Sequence, residues 1–460
     1  MVVPVAHGGP RVSAAPSDIR HAREVWRLSW PAIGHMLLLT AVFVVDRAII
    51  GKTSDAALAS MQISTVLVWT LTSIFTAFST ATLAIAGRAI GSGNPREASR
   101  AATTSVAAAA ASGVVVMVAA RLASPLVLAF AFPHAGSDVL ANVGAYLDVA
   151  LFALPLVFVE AAMASVLHAG GDTRSPLLAA VVGNGINLVL SCVLVFGLCG
   201  APKLGVVGVA IGFLAAALAE VAVLSVVLAR RRGPIDLQRY GLSWDSALAR
   251  RLMRVACPAI VDKTAYAGGY LVFVALIGWL GPAAMAANQV ISSIEAICFL
   301  TAEGFGIAAG SLVAQQIGAN QRARAEASMR TAAWLAVTVV APLGLLFALA
   351  ARPLLTMFGG SSEVVALGAS SLIVAGLSQP FMAYATVMRM ALRGAGATRS
   401  VLCVTLLGTL LVRLPLGYLL AVPGGLGLFG VWLACLCDWV LEAAVLSLIV
   451  RGQSWKTETV

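Results

Sequence analysis

Apolar positions along this chain come in long unbroken runs, not in the two-residue alternation of strands or the one-sided stripe of soluble helices. Runs of roughly 18 to 30 residues are each long enough to cross about 30 Å of hydrocarbon as a helix. They cover 28–50, 60–86, 99–120, 139–167, 176–198, 204–229, 253–279, 286–316, 331–350, 364–391, 400–422 and 427–450. Short connections rich in Gly and Pro, such as "GSGNP" and "VPGGLG", separate them. In hydrocarbon a backbone must satisfy its own hydrogen bonds, so each run is expected to be a helix. The pattern predicts an all-α integral membrane protein with 12 transmembrane helices.

Composition points the same way. Of 460 residues, 60% are hydrophobic and 11% charged, so lipid must solvate most of the chain. A net charge of +10 suggests nucleic acid in a soluble protein, but the placement of the charge gives it another meaning. Of 30 Lys and Arg, 23 fall in the first 27 residues or in the connections on that same side, counting 389–399 among them. By the positive-inside rule both termini are expected in the cytoplasm, the protein in the cell (inner or plasma) membrane, and nucleic acid is not an expected partner. Residues 1–27 hold Pro, His and four Arg without an apolar core, and read as a polar tail, not a signal peptide. The seven cysteines lack metal-ligand spacing, so they read as small buried hydrophobes and neither metal nor cofactor is expected.

One half repeats the other. "WPAIGH" (30–35) returns as "CPAIVD" (257–262), 227 residues on, and "AIGSGN" (89–94) as "QIGAN" (316–320) at the same offset. "HAGGDTRS" (168–175) returns as "RGAGATRS" (393–400), 225 residues on. Six spans per half is an even number, so the repeats are parallel, related by an axis along the membrane normal. The expected organisation is a cytoplasmic tail (1–27), an N-lobe (28–229), a linker (230–252), a C-lobe (253–450) and a C-terminal tail (451–460). Two six-helix bundles with a midplane cavity between them is a transporter plan. Polar features in one repeat only are the better functional candidates. At offset 227, Asp46 faces Phe273, Asp262 faces His35, Glu295 faces Val68 and Glu303 faces Thr76.

At this point the chain resembles the MATE family, the multidrug and toxic compound extrusion transporters. The resemblance runs from about Val25 to Trp455 and rests on several motifs in order. These are Pro31 followed by Asp46 and Gly51; "GDTRSP" after span four; "NGINLVLSCVLVFG" in span five; and "SIEAICFLTAEGFGIAAGSLVAQQIGA" in span eight. "VRLPLGYLL" and "GVWLACLCDWV" in spans eleven and twelve look closest to the DinF-like branch. The resemblance implies a V of two six-helix lobes and export of organic cations, often bulky and amphipathic, driven by H+ or Na+. It also implies that Asp46 is an ion-coupling residue, in a helix that bends at Pro31 as its protonation changes. The chain departs from that pattern where a second acid commonly follows an Asn by four residues in span five: Asn187 is present, but the acid's place is Ser191. The NorM-like acids of spans seven and ten fall near Tyr266 and Phe381.

A carboxylate at mid-bilayer costs on the order of 2.5–3.5 kcal/mol on insertion scales, so Asp46 should face a bundle interior. It either couples an ion or forms a structural ion pair. Adjacent helical residues diverge by about 100°, so Arg47 is a poor partner for it. Asn184, Asn187 and Ser191 share one face of span five and are candidates to hydrogen-bond Asp46, or are interhelical glue. In the second half, Glu295, Asp262, Glu303, Asn288 and Tyr266 are candidate contacts for a cationic substrate, or else the acids pair with Lys263 and Arg413. Arg413 with Asp438 is the expected structural ion pair. His35 and His168 read as helix-packing residues.

The expected activity is therefore antiport of small organic, cationic amphipathic compounds by a monomer in the lipid bilayer, in exchange for protons or sodium. A lipid-linked oligosaccharide or lipid flippase is the alternative, but its cavity should be lined by several cations, and here Lys263 and Arg413 are few. An enzyme is not expected: DDxxD-type sites, a phosphate loop and a Ser/His/Asp cluster are missing.

Overall fold

The computed structural model describes residues 18–132, 136–230, 235, 244–357 and 361–456, which contain helices and no strand. Twelve helices are long and apolar enough to cross a membrane. They are α1 (Asp18–Ile50), α2 (Asp55–Gly91), α3 (Pro95–Ala131), α4 (Ser137–Ala169), α5 (Arg174–Phe196) and α6 (Val206–Arg230) in the first half. In the second are α7 (Ser246–Trp279), α8 (Pro282–Gly318), α9 (Arg322–Leu349), α10 (Ser362–Gly394), α11 (Thr398–Ala421) and α12 (Gly427–Gly452).

The helices outrun the apolar stretches that announce them. At 37 residues each, α2, α3 and α8 are about 55 Å long at 1.5 Å per residue. Their surplus turns project beyond the hydrocarbon, where polar residues break the hydropathy signal but not the helix. Side-chain caps fix several of these ends. Asn94 accepts from the backbone N–H of Glu97 at 3.0 Å, with Pro95 in the first turn of α3. Asp245 accepts from the backbone N–H groups of Ala247 and Leu248, starting α7 before residue 253, within the expected linker. Of that linker, residues 231–234 and 236–243 lie outside the described residues, and so do residues 1–17 and 457–460 of the two tails. The N-terminal tail also ends earlier than expected, because α1 is helical from Asp18. Two helices are not uniform: α4 passes through a 3-10 turn at Leu151–Ala153, and α11 is π-helical over Leu406–Arg413.

The lobe boundaries drawn from hydropathy need correction where the helices cross. Val25 and Leu28 of α1 lie in the core of the second half, and Leu248, Leu252, Val255 and Ala256 of α7 lie in that of the first. Hydropathy registers that a segment is apolar; it carries no information on which bundle covers it. The two halves therefore exchange the first turns of their leading helices, each just before the repeated prolines Pro31 and Pro258.

Candidate functional site

The charge that breaks the apolar run of α1 is satisfied from α5. Asp46 is 2% exposed, and the Asn187 Nδ2 donates to its Oδ1 at 2.8 Å. Ser191 Oγ in turn donates to Asn187 Oδ1 at 3.3 Å. Gly212 on α6 backs this pair so closely that a Cβ there would sit 2.7 Å from Asn187 Oδ1. Any larger residue would displace the amide from Asp46. Tyr146 of α4 is buried within electrostatic reach of the same carboxylate. Among the described residues Asp46 has no ion pair with Arg47. The expectation for Asn184 is corrected: its Nδ2 donates to Ala180 O of its own helix at 2.8 Å, one turn back, and not to Asp46.

The C-lobe interior differs in character. Asp262, read as a substrate contact, is 1% exposed and ion-paired with Arg393 of α10. Arg413 Nε donates to Asp438 Oδ2 at 2.7 Å, and Arg389 Nη1 lies 3.3 Å from Glu442 Oε2. The guanidinium groups of Arg389 and Arg413 stack on the Trp439 ring, 5.1 and 4.9 Å from its centroid. The π-helical stretch of α11 places Gly408 against the carboxylates of Asp438 and Glu442, where a side chain would collide with both. This corrects two expectations. Arg389 and Arg393, counted with a cytoplasmic connection, belong to the buried part of α10. The interior cations are also not limited to Lys263 and Arg413: Arg389 and Arg393 join them, and three of the five C-lobe acids named here are matched by arginines.

The remaining candidates are less committed. Gln379 Nε2 reaches Glu295 Oε1 at 3.5 Å, the outer limit of a hydrogen bond. Asn288 is buried, its Oδ1 without a hydrogen-bond partner among the described residues. Glu303 is half-buried within electrostatic reach of Lys263, and Tyr266 is half-buried within reach of Arg413. Three acids buried or half-buried within spans escaped the sequence reading: Glu160 on α4 and Glu442 on α12, both buried, and Glu220 on α6, half-buried and packed against Gly183 of α5. The intramembrane-charge rule that singled out Asp46 applies equally to them.

The halves meet at one end. Gln315 Nε2 donates to Ala169 O at 2.7 Å, Ser311 Oγ to His168 O, and the Arg88 guanidinium to Ala395 O. The repeated glycines Gly91 and Gly318 pack against the opposite backbone, at Gln315 and Arg88, leaving no space for a Cβ. Arg324–Glu24 and Arg251–Glu97 ion pairs, each 3.1 Å, close the rim. All these contacts lie at the end carrying the basic connections.

Two repeated six-helix bundles, tied together at one end and with a polar interior in each, define a membrane transporter of the repeat-built kind. The MatE family model matches residues 31–193 and again 258–419, and the chain belongs to the MatE family, whose members are transporters and not enzymes. Relatives over nearly the full length include the probable multidrug resistance protein NorM of Thermotoga maritima, 25% identical over 95% of this chain and 94% of that protein. The multidrug resistance protein NorM of Burkholderia vietnamiensis is 26% identical over 98% and 97%. Among solved structures, the Vibrio cholerae MATE transporter VcmN in the bent form matches with TM-score 0.87, at 20% identity over 96% of this chain and 99% of that one. A MOP superfamily transporter from Pyrococcus furiosus matches with TM-score 0.86, at 18% identity over 97% and 100%. The structural matches carry the fold: all-helical, twelve spans, two lobes.

Proposed function

We propose that this transporter is a proton-coupled antiporter that exports organic, cationic amphipathic compounds from the cytoplasm, with Asp46 as the coupling carboxylate. The observation carrying this reading is a buried acid whose only hydrogen-bond donor among the contacts described here is the neutral amide of Asn187. A carboxylate held by an arginine keeps its charge whatever the conformation. One held by an amide in a nonpolar bundle exchanges its proton when lobe movement changes its access to water. Three C-lobe acids are of the first kind and Asp46 is of the second.

Sodium is the less suited ion. It prefers several oxygen ligands, and the side chains assembled here offer Asp46, the Asn187 amide and the Ser191 hydroxyl. A proton needs only the carboxylate. Moving one charge through 100 mV yields about 2.3 kcal/mol, enough to drive the uptake and release of a single proton.

The excess of Lys and Arg in the connections at the sealed end supports a cytoplasmic position for it and for both termini, in an inner or plasma membrane; on that reading this conformation corresponds to an outward-facing stage of the cycle. In the second lobe neither Glu295 nor Glu303 has an arginine partner among the described ion pairs; Glu303 lies within reach of Lys263, and Glu295, met by the neutral Gln379 amide, is the first candidate to meet a cationic substrate. The names of the NorM relatives, multidrug resistance proteins, support organic compounds as cargo. The reading is tested in proteoliposomes, with a cationic dye as substrate and imposed proton or sodium gradients. Export driven by a pH gradient without sodium supports it, and export driven by sodium at clamped pH, insensitive to a pH gradient, contradicts it.

A further inference from the structure

Toward the basic end from Asp46, the N-lobe holds a second group of ionisable side chains, three of them buried and Glu220 half-buried. His35 Nε2 lies 3.9 Å from Glu160 Oε1, and the His35 and His168 rings are 6.0 Å apart in an edge arrangement. His35, Glu160 and His168 are 3%, 7% and 5% exposed. Glu220 lies within electrostatic reach of Glu160, its carboxylate against Gly183. His35 Nδ1 and His168 Nε2 have no hydrogen-bond partner among the described residues. Asp172, in the connection after α4, is another charged group near His168, while Tyr146 and Asp46 lie further along α4 and α1 toward the end away from the basic connections.

The repeat shows what is unusual here. His35 is equivalent to Asp262, and His168 to Arg393, so the imidazole pair stands where the other lobe has an ion pair. Gly183 is equivalent to Gly408, and each receives a glutamate from the last helix of its lobe, Glu220 or Glu442. Glu442 is held by Arg389, but the N-lobe positions equivalent to Arg389 and Arg413 are Ala164 and Leu188. The same architectural site is therefore locked by permanent charges in one lobe and left titratable in the other.

The titratable site also lies between two functional features. Gly183 is one turn of α5, about 6 Å, closer to the basic end than Asn187, the partner of Asp46. At the other end of the group, the His168 carbonyl accepts from Ser311, one of the contacts sealing the lobes. A polar line thus runs from Asp46 through Asn187 and the Glu220–Glu160 pair to His35, His168 and the seal.

We propose that Glu220, Glu160, His35 and His168 form the proton-release site of the N-lobe, through which the proton bound at Asp46 reaches the cytoplasm when the lobes part at Ser311. This rests on the reading of Asp46 as the coupling residue. The Asp46 carboxylic acid becomes a carboxylate, the proton adds to Glu220 or Glu160 by way of water, passes to an imidazole and is given up to cytoplasmic water. No other bond changes, and no co-reactant is required.

The test compares two modes of transport by the intact protein in liposomes with a cationic dye. Net export requires a proton to be released on the cytoplasmic side; dye-for-dye counterflow requires none. In the Glu160→Gln/Glu220→Gln double variant, net export falls tenfold or more and loses its dependence on cytoplasmic-side pH, with counterflow still present. Glu442→Gln, the equivalent change in the ion-paired lobe, keeps the wild-type pH profile. His168→Gln displaces that profile, a readout that a packing role would not move. Should the double variant fail to accumulate, Glu220→Gln alone is read in the same assay. Asp46→Asn, measured in parallel, separates the two readings. If it abolishes export while the glutamine variants keep both rate and pH profile, the release site is wrong and the coupling role stands. If it exports normally, both are overturned.

Discussion

Arg393 of α10 and Asp262 of α7 form an ion pair at the place where the first repeat sets His168 beside His35. One duplicated scaffold thus carries a fixed charge pair in the C-lobe and neutralisable rings in the N-lobe. Removing one partner of a buried pair leaves an uncompensated charge and costs about 3–5 kcal/mol, whereas replacing both with apolar groups is often neutral. Arg393→Met is therefore expected to lower the melting temperature in detergent markedly, and Asp262→Leu/Arg393→Met to recover most of the loss. Equal destabilisation in the single and double variants would show that the pair does more than balance charge.

Gly212 tests the support behind the coupling residue. A methyl group there meets Asn187 Oδ1 at 2.7 Å and Ser191 Oγ still closer, so Gly212→Ala should push the amide from Asp46. Losing a hydrogen bond to a charged group is worth about 1.5–3 kcal/mol. Gradient-driven export is expected to fall by roughly 10- to 100-fold at a given gradient, with Asn187→Ala giving a similar loss. Wild-type export by both would remove Asn187 from the coupling site.

The seal between the lobes is tested at Gly91. Its Cα faces the Gln315 carbonyl with no space for a side chain, and Gly318 faces Arg88 in the same way. Gly91→Leu should hold the cytoplasmic end apart without disturbing either bundle. In a background lacking the seven native cysteines, a Ser311→Cys reporter should then become reactive to a membrane-impermeant thiol reagent applied from the cytoplasmic side, while export stops. An unreactive Cys with normal export would show that closure does not pass through these glycines.

Ser191 gives a test of ion choice. Adding a second carboxylate, Ser191→Asp, supplies the charge and oxygens that sodium prefers. Export should gain dependence on a sodium gradient. Unchanged proton dependence with no response to sodium would count against the ligand-number argument.

How much of this could be read from the chain depends on whether the signal was local. Twelve apolar runs, the 227-residue offset and a lone Asp46 are visible without any knowledge of neighbours, and the twelve spans and the duplication are present in the structure. The first ten residues of α1 were not legible as helix, because a hydropathy window falls silent at His21 and Arg23, although the helix runs on through them. Arg389 and Arg393 look like loop cations from composition alone; their burial depends on Glu442 and Asp262 arriving from α12 and α7. Glu160 and Glu220 were legible in principle, as acids inside spans. Their relation to His35 and His168 was not, since helical periodicity says nothing of which faces of α1, α4 and α6 converge.

The central claim, that one amide-held carboxylate couples export to the proton gradient, is tested most directly by Asp46→Asn. The substitution keeps shape and hydrogen-bonding capacity while removing the exchangeable charge, so the variant should enter the membrane and bind a cationic dye. Its export from proteoliposomes under an imposed pH gradient should fall to the level seen with no gradient. Gradient-dependent export at near wild-type rate, by a variant present at wild-type amount, would contradict the account.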